Sequence, residues 1–184
     1  MVLVVAVIGR SGSGKTVTIE YLIKQFSVEG YRVGAVKHIH HRGFTVDTEG
    51  KNTWRYAKAG AKVIVAISPD ETAIIKKTSS EVGRFDDVLE MLKKEDSLDI
   101  VFVEGYHELV AKRVDVVKIV VAKDDKGLQE LLAESEDSVV AVSGLIAENL
   151  NASVIHGFPV IRIPKDGEKL VELIKHQLNM QKGS

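Results

Sequence analysis

Hydrophobic positions fall into two periods along the chain. Val2 to Ile8 is an unbroken aliphatic run, the pattern of a strand buried on both faces. Ile19, Leu22, Ile23 and Phe26 follow at helical spacing, and Gly30 stops that helix. Arg32 to Lys37 reads as a second strand, and polar, histidine-rich residues 38 to 50 as a long loop. A short helix is expected over Asn52 to Ala59. Val63 to Ile67 and Thr72 to Lys76 should pair through the Ser68-Pro69-Asp70 turn. Phe85, Val88, Leu89 and Leu92 mark an amphipathic helix; Ile100 to Val103 and Val116 to Val121 read as strands. Leu128, Leu131 and Leu132 sit on a short helix. Val139 to Val142 and Val160 to Ile163 are further predicted strands, and Leu170, Leu173, Ile174 and Leu178 mark a last helix.

Strands alternating with helices imply parallel pairing through right-handed crossovers. The expected fold class is α/β: one three-layer, P-loop NTPase-like domain over 1–184, with a mostly parallel central sheet. Its ligand belongs at the carboxyl ends of the strands.

Composition narrows the picture. The 184 residues include 25 Lys or Arg against 26 Asp or Glu, a formal charge of −1, so no global field favours nucleic acid or a membrane surface. The absence of cysteine excludes thiol nucleophiles, disulfides and Cys-type zinc sites. The longest aliphatic run is far short of the ~20 residues of a membrane helix and has no basic segment before it. A soluble, cytoplasmic protein is expected.

The strongest chemical signal is Gly9-Arg10-Ser11-Gly12-Ser13-Gly14-Lys15-Thr16, a full GxxxxGK[ST] match between an aliphatic strand and an amphipathic helix. Glycines let successive N–H groups turn toward phosphate oxygens, and the helix N-terminus adds partial positive charge there. Lys15 is placed for the β and γ phosphates, Thr16 for Mg²⁺, and Arg10 and Ser11 for the terminal phosphate; Val17 continues the binding segment. The loop specifies a nucleoside triphosphate and leaves the base open. Such a site needs a carboxylate from a neighbouring strand, and Glu104, ending Ile100 to Val103, supplies one. Gly105 would let backbone approach the phosphates.

Lys37-His38-Ile39-His40-His41 follows the second predicted strand. On an extended backbone His38 and His40 share a face, a spacing that suits a transition metal; the alternative is polar loop residues that contact an anionic ligand or a partner subunit. Asp47 is a candidate for the Mg²⁺ shell, and Lys51 and Arg55, about a turn apart, for phosphates.

The P-loop, Lys37-His38 with the following histidines, Asp47 to Asn52, Ala59-Gly60-Ala61 and Val103-Glu104-Gly105 occur in the order found in the molybdopterin-guanine dinucleotide biosynthesis protein B (MobB) family, which the chain resembles closely over residues 1 to 121. The resemblance implies a P-loop GTP-binding protein, usually homodimeric, with weak GTPase activity. It would be an accessory protein of molybdenum cofactor biosynthesis, assisting the guanylyltransferase that attaches GMP to molybdopterin. The ligands the resemblance implies are GTP and Mg²⁺. Gly9 to Thr16 would hold the phosphates, Thr16 the metal, and Glu104 would be the Walker-B-like acid. His38, His40, His41, Asp47, Gly50 and Lys51 fall on the family's signature loop, implied to contact nucleotide or cofactor. The chain has Asn52 where the family often has Asp. It has Ala111-Lys112-Arg113-Val114-Asp115 where many relatives carry Pro-Lys-Ile-Glu, and it lacks an Asn-Lys-x-Asp guanine signature, so GTP over ATP rests on the resemblance. Ser143-Gly144-Leu145-Ile146 offers backbone groups for the base. The rival readings are a small-molecule kinase and a metal-delivery GTPase using His38, His40 and His41.

Overall fold

The computed structural model describes residues 2–77, 85–94, 98–135 and 137–183. The chain forms two compact units, Met1–His38 with Phe85–Ser184, and Ile39–Arg84.

The first unit is built on five strands: β1 (Leu3–Ile8), β2 (Val33–Lys37), β5 (Ile100–Glu104), β6 (Val117–Val121) and β7 (Val139–Ser143). They pair in the order β2-β5-β1-β6-β7, every ladder parallel. Successive side chains of a strand alternate between faces, and here both faces are covered. Leu3, Val5 and Val7 of β1 pack with Leu22 and Phe26 of α1 (Lys15–Val28) and Leu170 and Ile174 of α7 (Gly167–Lys182). Ala6 and Ile8 pack on the other face with Leu89 of α3 (Phe85–Lys93) and with Leu128 and Leu131 of α5 (Asp125–Glu134). The result is the expected three-layer α/β arrangement with helices on both sides. Lys118, wholly buried in β6, sends its Nζ to the carbonyls of Arg113 and Asp137, each at 2.7 Å, so its charge is solvated by backbone.

Two short helices, α4 (His107–Val110) and α6 (Leu145–Asn149), follow β5 and β7. Neither has the length to leave a periodic signal. The strand expected over Val160 to Ile163 is reduced to a single bridge, Val142 to Val160. The preceding residues instead close a small hairpin, β8 (Val154–Ile155) with β9 (Phe158–Pro159). Beyond the bridge, the Ile161 carbonyl accepts from the Ser143 hydroxyl at 2.7 Å, so a side chain replaces the next ladder bond.

The second unit contains α2 (Asn52–Lys58) and the antiparallel hairpin β3 (Val63–Ile67) with β4 (Thr72–Lys76), closed by Ser68 N–H to Glu71 O at 2.8 Å. Ile64 is buried. Val63, Val65, Ile67 and Ile74 project from the opposite face of the hairpin and are exposed.

Candidate functional site

The register of the sheet assembles the site. Lys37 pairs with Glu104 across β2 and β5, and Val7 pairs with Glu104 across β1 and β5. The carboxyl ends of these three strands therefore lie side by side, and the loop of residues 9–14 leaves β1 at that edge. Parallel pairing makes this automatic: the strands run the same way, so their ends share one rim.

Backbone shape sets the loop. Gly12 and Gly14 have positive φ, +70° and +108°, a region glycine enters without steric cost. Gly9 has no room for a side chain, since a Cβ there would come within 2.1 Å of the Val121 carbonyl oxygen. Gly14 caps α1, and the Thr18 hydroxyl donates to its carbonyl at 3.1 Å. The amides of the first helical turn have no intrahelical acceptor, so Lys15, Thr16 and Val17 present donors at the rim. Lys15 Nζ lies over the loop and donates to Arg10 O at 2.9 Å. Arg10 itself is ion-paired with Glu130 of α5. Ser11 and Gly12 are exposed, whereas Ser13 is buried with no hydrogen-bond partner for its hydroxyl.

Glu104 is the acidic centre. One carboxylate oxygen accepts from the Thr16 hydroxyl at 3.3 Å and the other is 3.0 Å from Lys37 Nζ. Thr16 and Glu104 thus offer hard oxygen donors beside the phosphate loop, a donor set that fits Mg²⁺. Lys37 and Lys123 add positive charge around Lys15. Burial, first, and then these two ammonium groups lower the Lys15 pKa below its usual value, while Glu104 opposes them. A cavity of about 160 Å³ adjoins the loop, lined by Arg10, Ser13, Lys123, Asp124 and Lys126 among others.

The structure brings Gly9, Arg10, Ser11, Gly12, Ser13, Gly14, Lys15, Thr16, Val17 and Glu104 together at one rim. His38 is in the same unit. Its N–H donates to Glu104 O at 2.8 Å, and its ring stacks on Tyr106 with centroids 4.0 Å apart and planes 12° apart. Gly105 is required by that approach, because a Cβ there would sit 2.8 Å from His38 Cβ. His40, His41, Asp47 and Lys51 belong to the second unit. His40 and His41 are exposed. Asp47 Oδ1 accepts from the Thr48 amide at 2.9 Å and the Thr53 hydroxyl at 2.8 Å, tying the loop to the first turn of α2. Lys51 is the N-cap residue of that helix. Among the described residues, no group of three or more His, Cys, Asp or Glu is placed to hold a metal ion.

The Gly144 segment has a task other than reaching a base. Leu145 N–H donates to Ser13 O at 3.3 Å, bracing the phosphate loop, and Ile146 N–H donates to Ala122 O at 3.1 Å, just past β6. A Cβ on Gly144 would lie 2.5 Å from Ser13 O. Two cations escape the sequence reading. Lys123 Nζ lies 3.3 Å from where a Gly12 Cβ would be, and Lys37 holds Glu104. Both depend on which strands flank β1, and only the position of Lys37 at a strand end hints at a role.

The family model described as "MobB: Molybdopterin guanine dinucleotide synthesis protein B" matches residues 4–144. The chain belongs to the MobB family. It is 29% identical over 168 residues to a Haemophilus influenzae protein named molybdopterin-guanine dinucleotide biosynthesis adapter protein, covering 91% of this chain and 87% of that one. An Escherichia coli K12 protein of the same name is 29% identical over 155 residues, 84% of this chain and 85% of its own. Among solved structures, one described as molybdopterin-guanine biosynthesis protein B (mobB) superposes with a TM-score of 0.71 at 25% identity, covering 96% of this chain and 99% of that one. The MobB match includes the phosphate loop, Glu104 and the histidine loop, and it ends at Gly144, the residue that packs beneath the loop.

Proposed function

We propose that this MobB-family chain is a GTP- and Mg²⁺-binding adapter of molybdenum cofactor biosynthesis. It would assist a guanylyltransferase in attaching GMP to molybdopterin and act at most as a slow GTPase. The observation that carries the nucleotide reading is the Thr16–Glu104 contact beside the phosphate loop. A structural glycine turn has no reason to hold a hydroxyl and a strand-end carboxylate together at the one place a polyphosphate would bring a divalent ion. The names of the relatives support the pathway.

In this reading the amides of the loop and of the first turn of α1 receive phosphate oxygens, and Lys15 exchanges the Arg10 carbonyl for them. Thr16 and Glu104 would hold the magnesium ion, which when bound supplies charge neutralisation at the β and γ phosphates. Arg10, ion-paired with Glu130 at the surface, is proposed to turn to the terminal phosphate when nucleotide binds. His40, His41, Asp47 and Lys51 are proposed to contact nucleotide or pterin. No helix among the described residues is long and apolar enough to cross a membrane, and a cytoplasmic site of action is proposed. A homodimer is proposed, the exposed row Val63, Val65, Ile67 and Ile74 being the surface a second copy would cover.

Calorimetric titration of the full chain with GDP and ADP in the presence of Mg²⁺ tests the nucleotide reading. Saturable binding that favours GDP is expected. Binding of neither, or preference for ADP, would count against it.

A further inference from the structure

We propose that Lys37 is a built-in competitor of magnesium at Glu104: a positioning residue whose ammonium occupies one side of the carboxylate that the metal shell needs. The inference rests on the nucleotide-binding reading above and adds to it a residue and a direction of effect.

Three observations converge. First, the placement is fixed by the sheet, since Lys37 and Glu104 are register partners at the carboxyl ends of adjacent parallel strands. A strand-end lysine beside a strand-end glutamate is thereby presented at the rim by backbone rather than by a mobile loop. Second, the carboxylate is shared. Lys37 Nζ is 3.0 Å from Oε1, and the Thr16 hydroxyl is 3.3 Å from Oε2. Third, the two partners differ in burial: the Glu104 side chain is 15% exposed and that of Lys37 is 56% exposed. The carboxylate is largely shielded from water, whereas the lysine head is open to it.

A divalent ion held between Thr16 and Glu104 lies next to this ammonium, and two cations serving one carboxylate weaken each other's hold. Magnesium binding must therefore loosen the Lys37–Glu104 pair, and the loosened ammonium remains at the rim where the polyphosphate carries most negative charge.

The test is a Mg²⁺ titration of the full chain at saturating fluorescent GDP, read by the change in fluorophore emission and not by turnover. Lys37→Met is expected to tighten Mg²⁺ roughly 5-fold, the upper value for a partly exposed pair. Lys37→Arg, which keeps the charge, is expected to stay within about 2-fold of the parent. Lys37 is exposed, so neither variant should disturb folding, and equal melting temperatures will confirm it. Unchanged or weaker Mg²⁺ binding by Lys37→Met, with GDP still bound, would overturn the competitor role and leave the nucleotide reading intact. No GDP binding by the parent would overturn both.

Discussion

The two units of the chain solve different problems with different means. In the first, five parallel strands are buried on both faces, and residues that carry chemistry stand at strand ends: Lys37, Glu104 and the loop after Ile8. In the second, a seven-residue helix with no buried residue and one hairpin support a long polar loop, and four large aliphatic side chains face outward. A site held by a core is rigid to within the packing of that core. A two-stranded ribbon is marginal in water unless something covers it. The phosphate loop and Glu104 lie in the first unit, and the hairpin face proposed for association lies in the second.

Gly144 and Gly60 share positive φ, +93° and +110°, but a Cβ would meet Ser13 O at 2.5 Å in one case and nothing within 4 Å in the other. Gly144→Ala should therefore destabilise by roughly 3 kcal/mol and Gly60→Ala by roughly 1 kcal/mol in urea unfolding. Equal effects would deny that the phosphate loop is the tighter structure. Next in size is Lys15→Ala, which should weaken GDP binding by about 1.5–3 kcal/mol, the loss of a charge-assisted contact. Calorimetry reads that change, and an unaltered affinity would remove the loop from the site. Val65→Asp with Ile74→Asp places two charges on the outward face of the hairpin. We expect dissociation of the proposed dimer by light scattering, with GDP affinity changed by less than about 0.5 kcal/mol; a dimer that survives must be built elsewhere.

The smallest effect concerns protons. The Lys15 pKa is lowered in the folded chain, so between that value and 10.5 the unfolded state binds more protons, and this group's contribution to stability rises with pH. Phosphate at the loop favours the charged ammonium and raises the pKa again. Nucleotide binding should thus take up a fraction of a proton at alkaline pH, and affinity should fall as pH rises through that window. Calorimetry in buffers of different ionisation enthalpy measures the uptake, and proton release would contradict the sign.

Much of this was legible in the sequence, for reasons that differ by residue. The phosphate loop announces itself because glycine spacing, Lys15 and Thr16 are contiguous and their chemistry is local. Glu104 could be found because it ends an aliphatic run. Lys37 and Lys123 could not be assigned, since their neighbours are set by strand order, and strand order is not written in periodicity. The helices at His107–Val110 and Leu145–Asn149 are too short for a helical repeat to show. The strand expected at Val160 to Ile163 has the right side chains, but the Ser143 hydroxyl takes the Ile161 carbonyl and the ladder ends after one bridge. The Gly144 segment looked available for a base because nothing in the sequence reveals that its amides face Ser13 and Ala122.

The central claim is that the rim formed by residues 9–16 and Glu104 grips a magnesium-bound polyphosphate. Thermal unfolding of the full chain with and without Mg²⁺ and GTP tests it most directly. At about 100 times the dissociation constant, binding to the folded state adds roughly 2.7 kcal/mol, which raises the melting temperature of a chain this long by about 5–10 °C. That rise is expected for the parent, and its loss in Glu104→Ala with Thr16→Ala. A parent melting temperature unmoved by saturating nucleotide and magnesium would contradict it.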